Sequence, residues 1–189
     1  MKQVSKTLVL AGAWVALAQI GCSDGPPCHQ DPLGCGEGEE FAFEPSCELT
    51  GDLDVVLGEG AIDFVPYQGG EEPLVHEGRQ GASHLCLGLE VADPALEYPK
   101  LKVDFAAQIN DPSRCDPEDT ACDPWIFTGR RDLVLGPELP LTEDGKVQAA
   151  GFIVTISIWP TDLERRVRMT AVDPCGREGV VDHLIPPSL

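Results

Sequence analysis

The amino-acid sequence predicts an all-β protein whose folded part is a single antiparallel β-sandwich. From Phe41 onward, apolar residues alternate with polar ones at a period of two, which is typical of strands with one buried face. Turn-forming Gly, Pro and Asp residues interrupt these runs. Beyond the N-terminal apolar run, no stretch shows the helical period of ~3.6 residues. We expect an immunoglobulin-like or fibronectin-like arrangement, with a jelly roll as the alternative.

Nine strands are predicted from this alternation. The clearest four have apolar side chains at every second position, and they span 53–57, 101–109, 152–158 and 167–171. Five shorter or less regular strands are expected at 62–67, 73–77, 83–91, 130–135 and 178–185. Turn signals separate them at 58–60, 68–70, 111–112, 143–145 and 174–176.

The N-terminal region of the 189-residue chain predicts export. Lys2 and Lys6 precede twelve uncharged residues, 7–18, which is the layout of a signal peptide and is shorter than the ~20 residues of a membrane-spanning helix. We assign 1–21 to the signal peptide. Residues 22–40 are rich in Gly, Pro and acids and form a predicted tether, and 41–189 form the β-sandwich domain.

Two cleavage signals follow one another. Residues 16–18 have the A-x-A form, and cleavage there would leave a secreted or periplasmic soluble protein. Gly21-Cys22 resembles the lipobox of bacterial lipoproteins, with Gln19 where that pattern has Leu. The polar, breaker-rich spacer after Cys22 favours lipidation of Cys22. Ser23, rather than Asp, then favours sorting to the outer membrane of the cell envelope.

Eight cysteines in an exported chain indicate disulfides formed in an oxidising compartment. Proximity predicts two pairs, Cys28–Cys35 and Cys115–Cys122. Three pairings remain open among Cys47, Cys86 and Cys175. We favour Cys47–Cys175, which leaves Cys86 as a free, buried thiol.

Charge narrows the classes of partner. The chain has 32 acidic residues against 13 Lys and Arg, a net charge of −19 at pH 7. Such a chain repels nucleic acids and anionic lipid headgroups. We expect membrane attachment through the lipid anchor, and a protein or a glycan as the partner, with no nucleic acid.

One cluster has the residue types of a transition-metal site. His84 and Cys86 lie two apart on a predicted strand and so share a face, and His76 lies on the preceding strand across the 78–81 turn. A hairpin in which His84 hydrogen-bonds the turn explains the same pattern. We therefore predict no metal and no cofactor.

The most acidic loop, 110–125, has a calcium-binding composition. Asp116, Glu118 and Asp119 lie between Cys115 and Cys122, but the EF-hand alternation is missing and two prolines stiffen the backbone. We predict a structural disulfide loop here.

No catalytic pattern stands out. The G-x-S-x-G elbow is absent, and carboxylate pairs carry no information in so acidic a chain. Four aromatics could form a sugar-stacking platform, although packing is their commoner role: Trp125, Trp159, Phe127 and Tyr67. We predict a non-enzymatic binding or structural module that presents loops to its partner; the alternative is a secreted hydrolase or metal-binding protein.

Residues 57–91 resemble a group of uncharacterised predicted lipoproteins of Gram-negative bacteria. The shared pattern is G-x-G, F-x-P and a G-x-Q-G-x-x-H turn that enters a strand, matched here by Gly58, Gly60, Phe64, Pro66, Gly78, Gln80, Gly81 and His84. The later VDPCGREG stretch, 172–179, resembles the D-x-C-G turn of the same group. The resemblance implies an envelope lipoprotein with a β-sandwich, and it implies no activity.

Overall fold

The computed structural model describes residues 41–78, 81–116, 118–136 and 138–188, and these residues form an all-β sandwich as predicted. The predicted signal peptide, the tether, the lipidated Cys22 and the Cys28–Cys35 disulfide lie outside the described residues. Within them, no helix is long and apolar enough to span a bilayer.

In chain order, the strands are β1 (Asp54–Glu59), β2 (Val65–Pro66), β3 (Val75–Glu77), β4 (Ser83–Ala92), β5 (Leu101–Asn110), β6 (Trp125–Leu135), β7 (Val147–Ile156), β8 (Arg165–Val172) and β9 (Glu178–Ile185).

Two antiparallel sheets make up the sandwich. In the first, β4 is central and pairs with β7 on one side and with β1 and β3 on the other, while β2 pairs with β1. In the second, the order is β6-β5-β8-β9. The strands that would be A, B and E of an immunoglobulin-like domain thus share one sheet, and those equivalent to C′, C, F and G share the other. This grouping is the one that we expected, and it is not that of a jelly roll.

Most predicted strands lie within two residues of where the alternation placed them, but the strand expected at 62–67 is reduced to β2 at Val65–Pro66, and the starts of β6 and β7 were wrong. β6 begins at Trp125, five residues before the expected 130, because its pairing with β5 continues past a bulge at Ala107/Gln108. An extra residue at a bulge breaks the period of two, so this half of the strand escapes the sequence pattern. β7 begins at Val147 rather than 152, because β4 offers it partners from Ser83 to Val91.

The core consists of the inward-facing residues of both sheets. Leu85, Leu87 and Leu89 of β4 are fully buried, and they face the alternate residues of β5 and β8. At the centre, the rings of Phe105 and Phe152 join the two sheets at a centroid distance of 5.3 Å. Burial of apolar area on this scale is the main favourable term in the stability of the domain.

Both edges of the sandwich are closed by contacts between the sheets. On one side, the Ser157 amide donates to the Thr128 carbonyl at 2.8 Å, which joins the end of β7 to β6. On the other side, the Leu53 amide donates to Glu178 at 3.1 Å, which joins the start of β1 to β9. Each of these contacts satisfies backbone groups where an edge strand of one sheet meets the other sheet.

The turn between β8 and β9 is fixed by the Cys47–Cys175 disulfide, which confirms our prediction for this pair. Arg177 lies inside the turn, with its Nε donating to buried Asp173 at 2.8 Å and its Nη2 donating to the Asp93 carbonyl at 2.7 Å. The VDPCGREG stretch is therefore a structural lock, in which a buried cation is paired with a buried carboxylate.

We expect Phe152→Ala to lower the free energy of unfolding by about 3–5 kcal/mol, because it removes a fully buried ring between the sheets. Urea denaturation of the purified domain measures the change. Val180→Ala is the control, since Val180 is half exposed on β9 and should change stability by less than about 0.5 kcal/mol. Equal losses in the two variants would contradict the inter-sheet position of Phe152.

Candidate functional site

A groove of about 600 Å³ opens at the end of the sandwich where β3, β4 and β7 meet. We call it the Trp159 groove. Its apolar wall consists of Leu74, Val75, Ile158 and Trp159. Four hydroxyl groups and one carboxylate complete the lining, from Ser83, Ser157, Thr161, Ser188 and Glu72. The volume lies within the range of small-molecule sites, and the mixed lining offers both stacking and hydrogen bonding.

Strand ends bring these residues together. Glu72 and Pro73 lie in the loop before β3, and Ser83 is the first residue of β4. Trp159 lies three residues after the end of β7 at Ile156, in the loop before β8. Because β3 and β4 are antiparallel neighbours, their groove-lining residues lie side by side.

Arg165 holds the carboxylate of the groove in place. Its side chain has no exposed surface, and its Nη1 donates to Glu72 Oε1 at 2.5 Å. Trp159 Nε1 donates to the same oxygen at 2.9 Å. The other guanidinium nitrogens donate to the carbonyls of Leu163 and Pro186 at 3.3 and 3.2 Å. These bonds satisfy the buried guanidinium and fix the indole and the carboxylate relative to each other.

Sequence reasoning identified Trp159 but missed Glu72 and Arg165. Arg165 carried a usable signal: the alternation of β8 places Val167 and Met169 inward, and the same phase places Arg165 inward too. A charged residue at an inward position predicts a buried ion pair. Glu72 carried no such signal, because it is one of two adjacent glutamates in a polar loop.

The four aromatics named from the sequence do not form one platform. Trp125 and Phe127 lie on the outer face of the second sheet, where Arg166 stacks 4.2 Å from the Trp125 ring centroid. Tyr67 lies at the other edge and stacks on His183 at 4.2 Å. Only Trp159 among the four lines the Trp159 groove.

His76 and His84 face each other across β3 and β4, as the sequence predicted. Their rings are nearly parallel, with centroids 5.8 Å apart. Burial is the main cause that lowers the pKa of His84 from 6.5; the neighbouring His76 adds to this, and a hydrogen bond to the Ala82 backbone opposes it. That hydrogen bond confirms the expected contact between His84 and the turn.

The prediction of a free thiol at Cys86 was wrong, because Cys86 is disulfide-bonded. The other four described cysteines form the predicted pairs Cys47–Cys175 and Cys115–Cys122. The partner of Cys86 therefore lies outside the described residues. Our error came from parity, since an odd number of cysteines after lipidation leaves one thiol over, and favouring Cys47–Cys175 left Cys86 as that thiol.

The Cys115–Cys122 disulfide closes the acidic loop as predicted, and two carboxylates of the loop accept hydrogen bonds in local turns. Asp116 accepts a hydrogen bond from the Glu118 amide at 3.0 Å, and Asp119 accepts one from the Ala121 amide at 3.0 Å. These are Asx-turns, which direct carboxylate oxygens at the backbone rather than at a common point. Among the described residues, no group of three or more His, Cys, Asp or Glu side chains is arranged to hold a metal ion.

Two glycines of the lipoprotein-like pattern, Gly58 and Gly60, are required by close packing. A Cβ on Gly58 would meet the backbone and the ring of Phe64–Val65, and one on Gly60 would meet the backbone of Leu87. Phe64 also lies against Gly88 of β4. This part of the pattern therefore supports β1, β2 and β4 and forms no site.

Comparison with protein-family models gives no matching family, and comparison with curated proteins gives no matching sequence. What this chain binds has to follow from the chemistry of its own side chains.

We expect the free energy of unfolding to fall as the pH falls below about 6.5. Because the pKa of His84 is lowered in the folded protein, the unfolded chain takes up a proton at this residue at a higher pH than the folded protein does. The free energy of unfolding therefore decreases as the pH falls from about 6.5 to the pKa of His84 in the folded protein. Urea denaturation at pH 7.5, 6.5 and 5.5 measures the slope, and His84→Gln removes the titrating group. Identical slopes for the variant and the natural protein would show that His84 is not responsible.

Proposed function

We propose that the protein is a non-enzymatic, envelope-tethered module that binds a glycan in the Trp159 groove. The observation that supports this most is the Glu72–Trp159–Arg165 arrangement, which places an indole and an ordered carboxylate in one groove. Apolar faces of sugar rings stack on aromatic side chains, and sugar hydroxyls donate to carboxylates. The groove supplies both.

The hydrogen-bonding capacity of Glu72 supports a hydroxyl-rich ligand. Both of its described bonds from Trp159 and Arg165 go to Oε1, so Oε2 keeps its lone pairs for a ligand. The side chain is 44% exposed, so a ligand can reach it, whereas Arg165 is inaccessible and acts only through Glu72. Hydroxyls of Ser83, Ser157 and Thr161 add donors and acceptors around the same space.

The carboxyl groups favour binding over hydrolysis. Glycosidases use two carboxylates about 5–9.5 Å apart, one of them with a raised pKa. Glu72 is the one carboxylate among the described residues that line the groove. Hydrogen bonds from Ser46, Thr142 and Arg168 lower the pKa of Glu44, Asp144 and Asp182 respectively, which keeps these groups ionised and unsuited to general-acid catalysis.

A lipid on Cys22 places the module at the cell envelope, where glycans are abundant. The disulfide of Cys86 limits which cysteines can pair if Cys22 is lipidated, because one sulfur atom cannot carry both a lipid thioether and a disulfide. If Cys22 is lipidated, Cys86 is bonded to Cys28 or Cys35, and the Cys28–Cys35 pair is excluded. If that pair forms, Cys86 is bonded to Cys22 and the lipid is excluded. We retain the lipid anchor and give up the Cys28–Cys35 pair.

We expect at least one of four tetrasaccharides (cello-, xylo-, chito- and maltotetraose) to bind the purified protein and to lose measurable affinity in Trp159→Ala. The physical reason is that the substitution removes the stacking surface and releases Glu72 from one hydrogen bond. Isothermal titration calorimetry measures the affinity. Trp125→Ala is the matched control, since Trp125 also stacks under an arginine but lies on the outer face of the second sheet. Equal losses in both variants, or no binding of any of the four sugars, would contradict the glycan site.

We expect the membrane-extracted protein to begin at Cys22 and to exceed the mass of residues 22–189 by that of a lipid. A non-reducing peptide map should then show Cys86 linked to Cys28 or Cys35. Cys22→Ser is the control, and it should move the protein from the membrane fraction to the soluble fraction. A Cys22–Cys86 disulfide, or cleavage after Ala18, would contradict the anchor and leave the glycan site unaffected.

A further inference from the structure

The two facing imidazoles of β3 and β4 have nitrogen atoms that the fold leaves unused. His76 Nε2 and His84 Nε2 are both buried, and neither has a hydrogen-bond partner. His84 is 4% exposed, and His76 is half-buried. Buried polar atoms normally have hydrogen-bond partners. Two buried nitrogens without partners on stacked rings therefore indicate a site for a ligand.

The backbone determines which nitrogen of His84 is free to bind. Because Nε2 has no partner, the hydrogen bond to the Ala82 backbone comes from Nδ1. A neutral imidazole that donates from Nδ1 carries its lone pair on Nε2. Metal-binding histidines are oriented in this way, with the second ring nitrogen donating to a carbonyl or carboxylate.

The local donor set selects the kind of ion. Cys86, two residues along the same face, is disulfide-bonded and so contributes no thiolate. Thr155, opposite His84 on β7, adds at most a hydroxyl, and the neighbouring Glu77 and Ser83 lie on the opposite face of their strands. Imidazole nitrogens without carboxylates favour copper, nickel and zinc over calcium and magnesium.

We propose that His76 and His84 bind one divalent transition-metal ion through their Nε2 atoms, with water completing the coordination. The ion bridges β3 and β4 across the pair and satisfies both orphaned nitrogens. Cu²⁺ binds more tightly than Ni²⁺ or Zn²⁺, as the general affinity order of nitrogen ligands requires. Binding weakens as the pH falls through the range in which imidazoles take up protons.

Calorimetric titration of the full chain with Cu²⁺, Ni²⁺ and Zn²⁺ tests the proposal. We expect one ion per chain, and loss of that binding in both His84→Ala and His76→Ala. His183→Gln is the matched histidine control, since His183 lies on β9 in the other sheet with its Nε2 bonded to the Glu71 carbonyl, and it should bind as the natural protein does. Electron paramagnetic resonance of the Cu²⁺ form should show coupling to two imidazole nitrogens, reduced to one or none in the variants.

Circular dichroism checks that each variant is folded, and the half-buried His76 provides a second substitution if His84→Ala does not fold. Binding that survives in His76→Ala, or that disappears in His183→Gln, would overturn the assignment. So would the failure of all three ions to bind at pH 7.5. Sugar binding in the Trp159 groove is measured separately, so either proposal can fail without the other.

Discussion

The buried charge of Arg165 is the constraint on which the groove end of the sandwich depends. A guanidinium without exposed surface is tolerable only if its donors are satisfied, and here they bind Glu72 and the carbonyls of Leu163 and Pro186. These partners come from the segment before β3, the segment before β8 and the segment after β9. One side chain therefore joins the segment before β3 and the segment after β9 to the start of β8.

A buried arginine with a carboxylate partner lies near each end of β8, Arg165 at one end and Arg177 at the other, and the two ion pairs have different roles. At the far end, Arg177 pairs with Asp173, which is fully buried, and with Asp93, beside the Cys47–Cys175 disulfide. The Asp173 carboxylate is fully buried and bonded to Arg177, which locks the turn, whereas the Asp93 carboxylate at its surface is 89% exposed. At the near end, the acceptor Glu72 is partly exposed and keeps one oxygen unused. The structural lock and the candidate groove thus differ in the main acceptor of the buried arginine, which is fully buried Asp173 in the first and partly exposed Glu72 in the second.

The period of two in the sequence was sufficient to predict the fold class and most strands, because inward and outward positions differ so clearly in β5 and β8. It failed where the period itself breaks, at the bulge opposite β6. The groove could be predicted only in part. Trp159 is visible as an aromatic after a strand, but Glu72 acquires its role from Arg165, 93 residues away, and no local pattern encodes such a contact. The Cys86 disulfide was missed for a similar reason, since pairing depends on distance in space.

Strand alternation relates the groove to the histidine pair. In β3 and β4, Val75 and Ser83 point toward the Trp159 groove, and His76 and His84 point to the opposite face. β3 is held to β4 by only three paired residues, so any bond added across the histidines restricts the whole strand. A strand that is restricted on its outer face is restricted on its inner face as well, because both sets of side chains share one backbone. The order of the groove wall is therefore tied to the contacts of two imidazoles that do not line it.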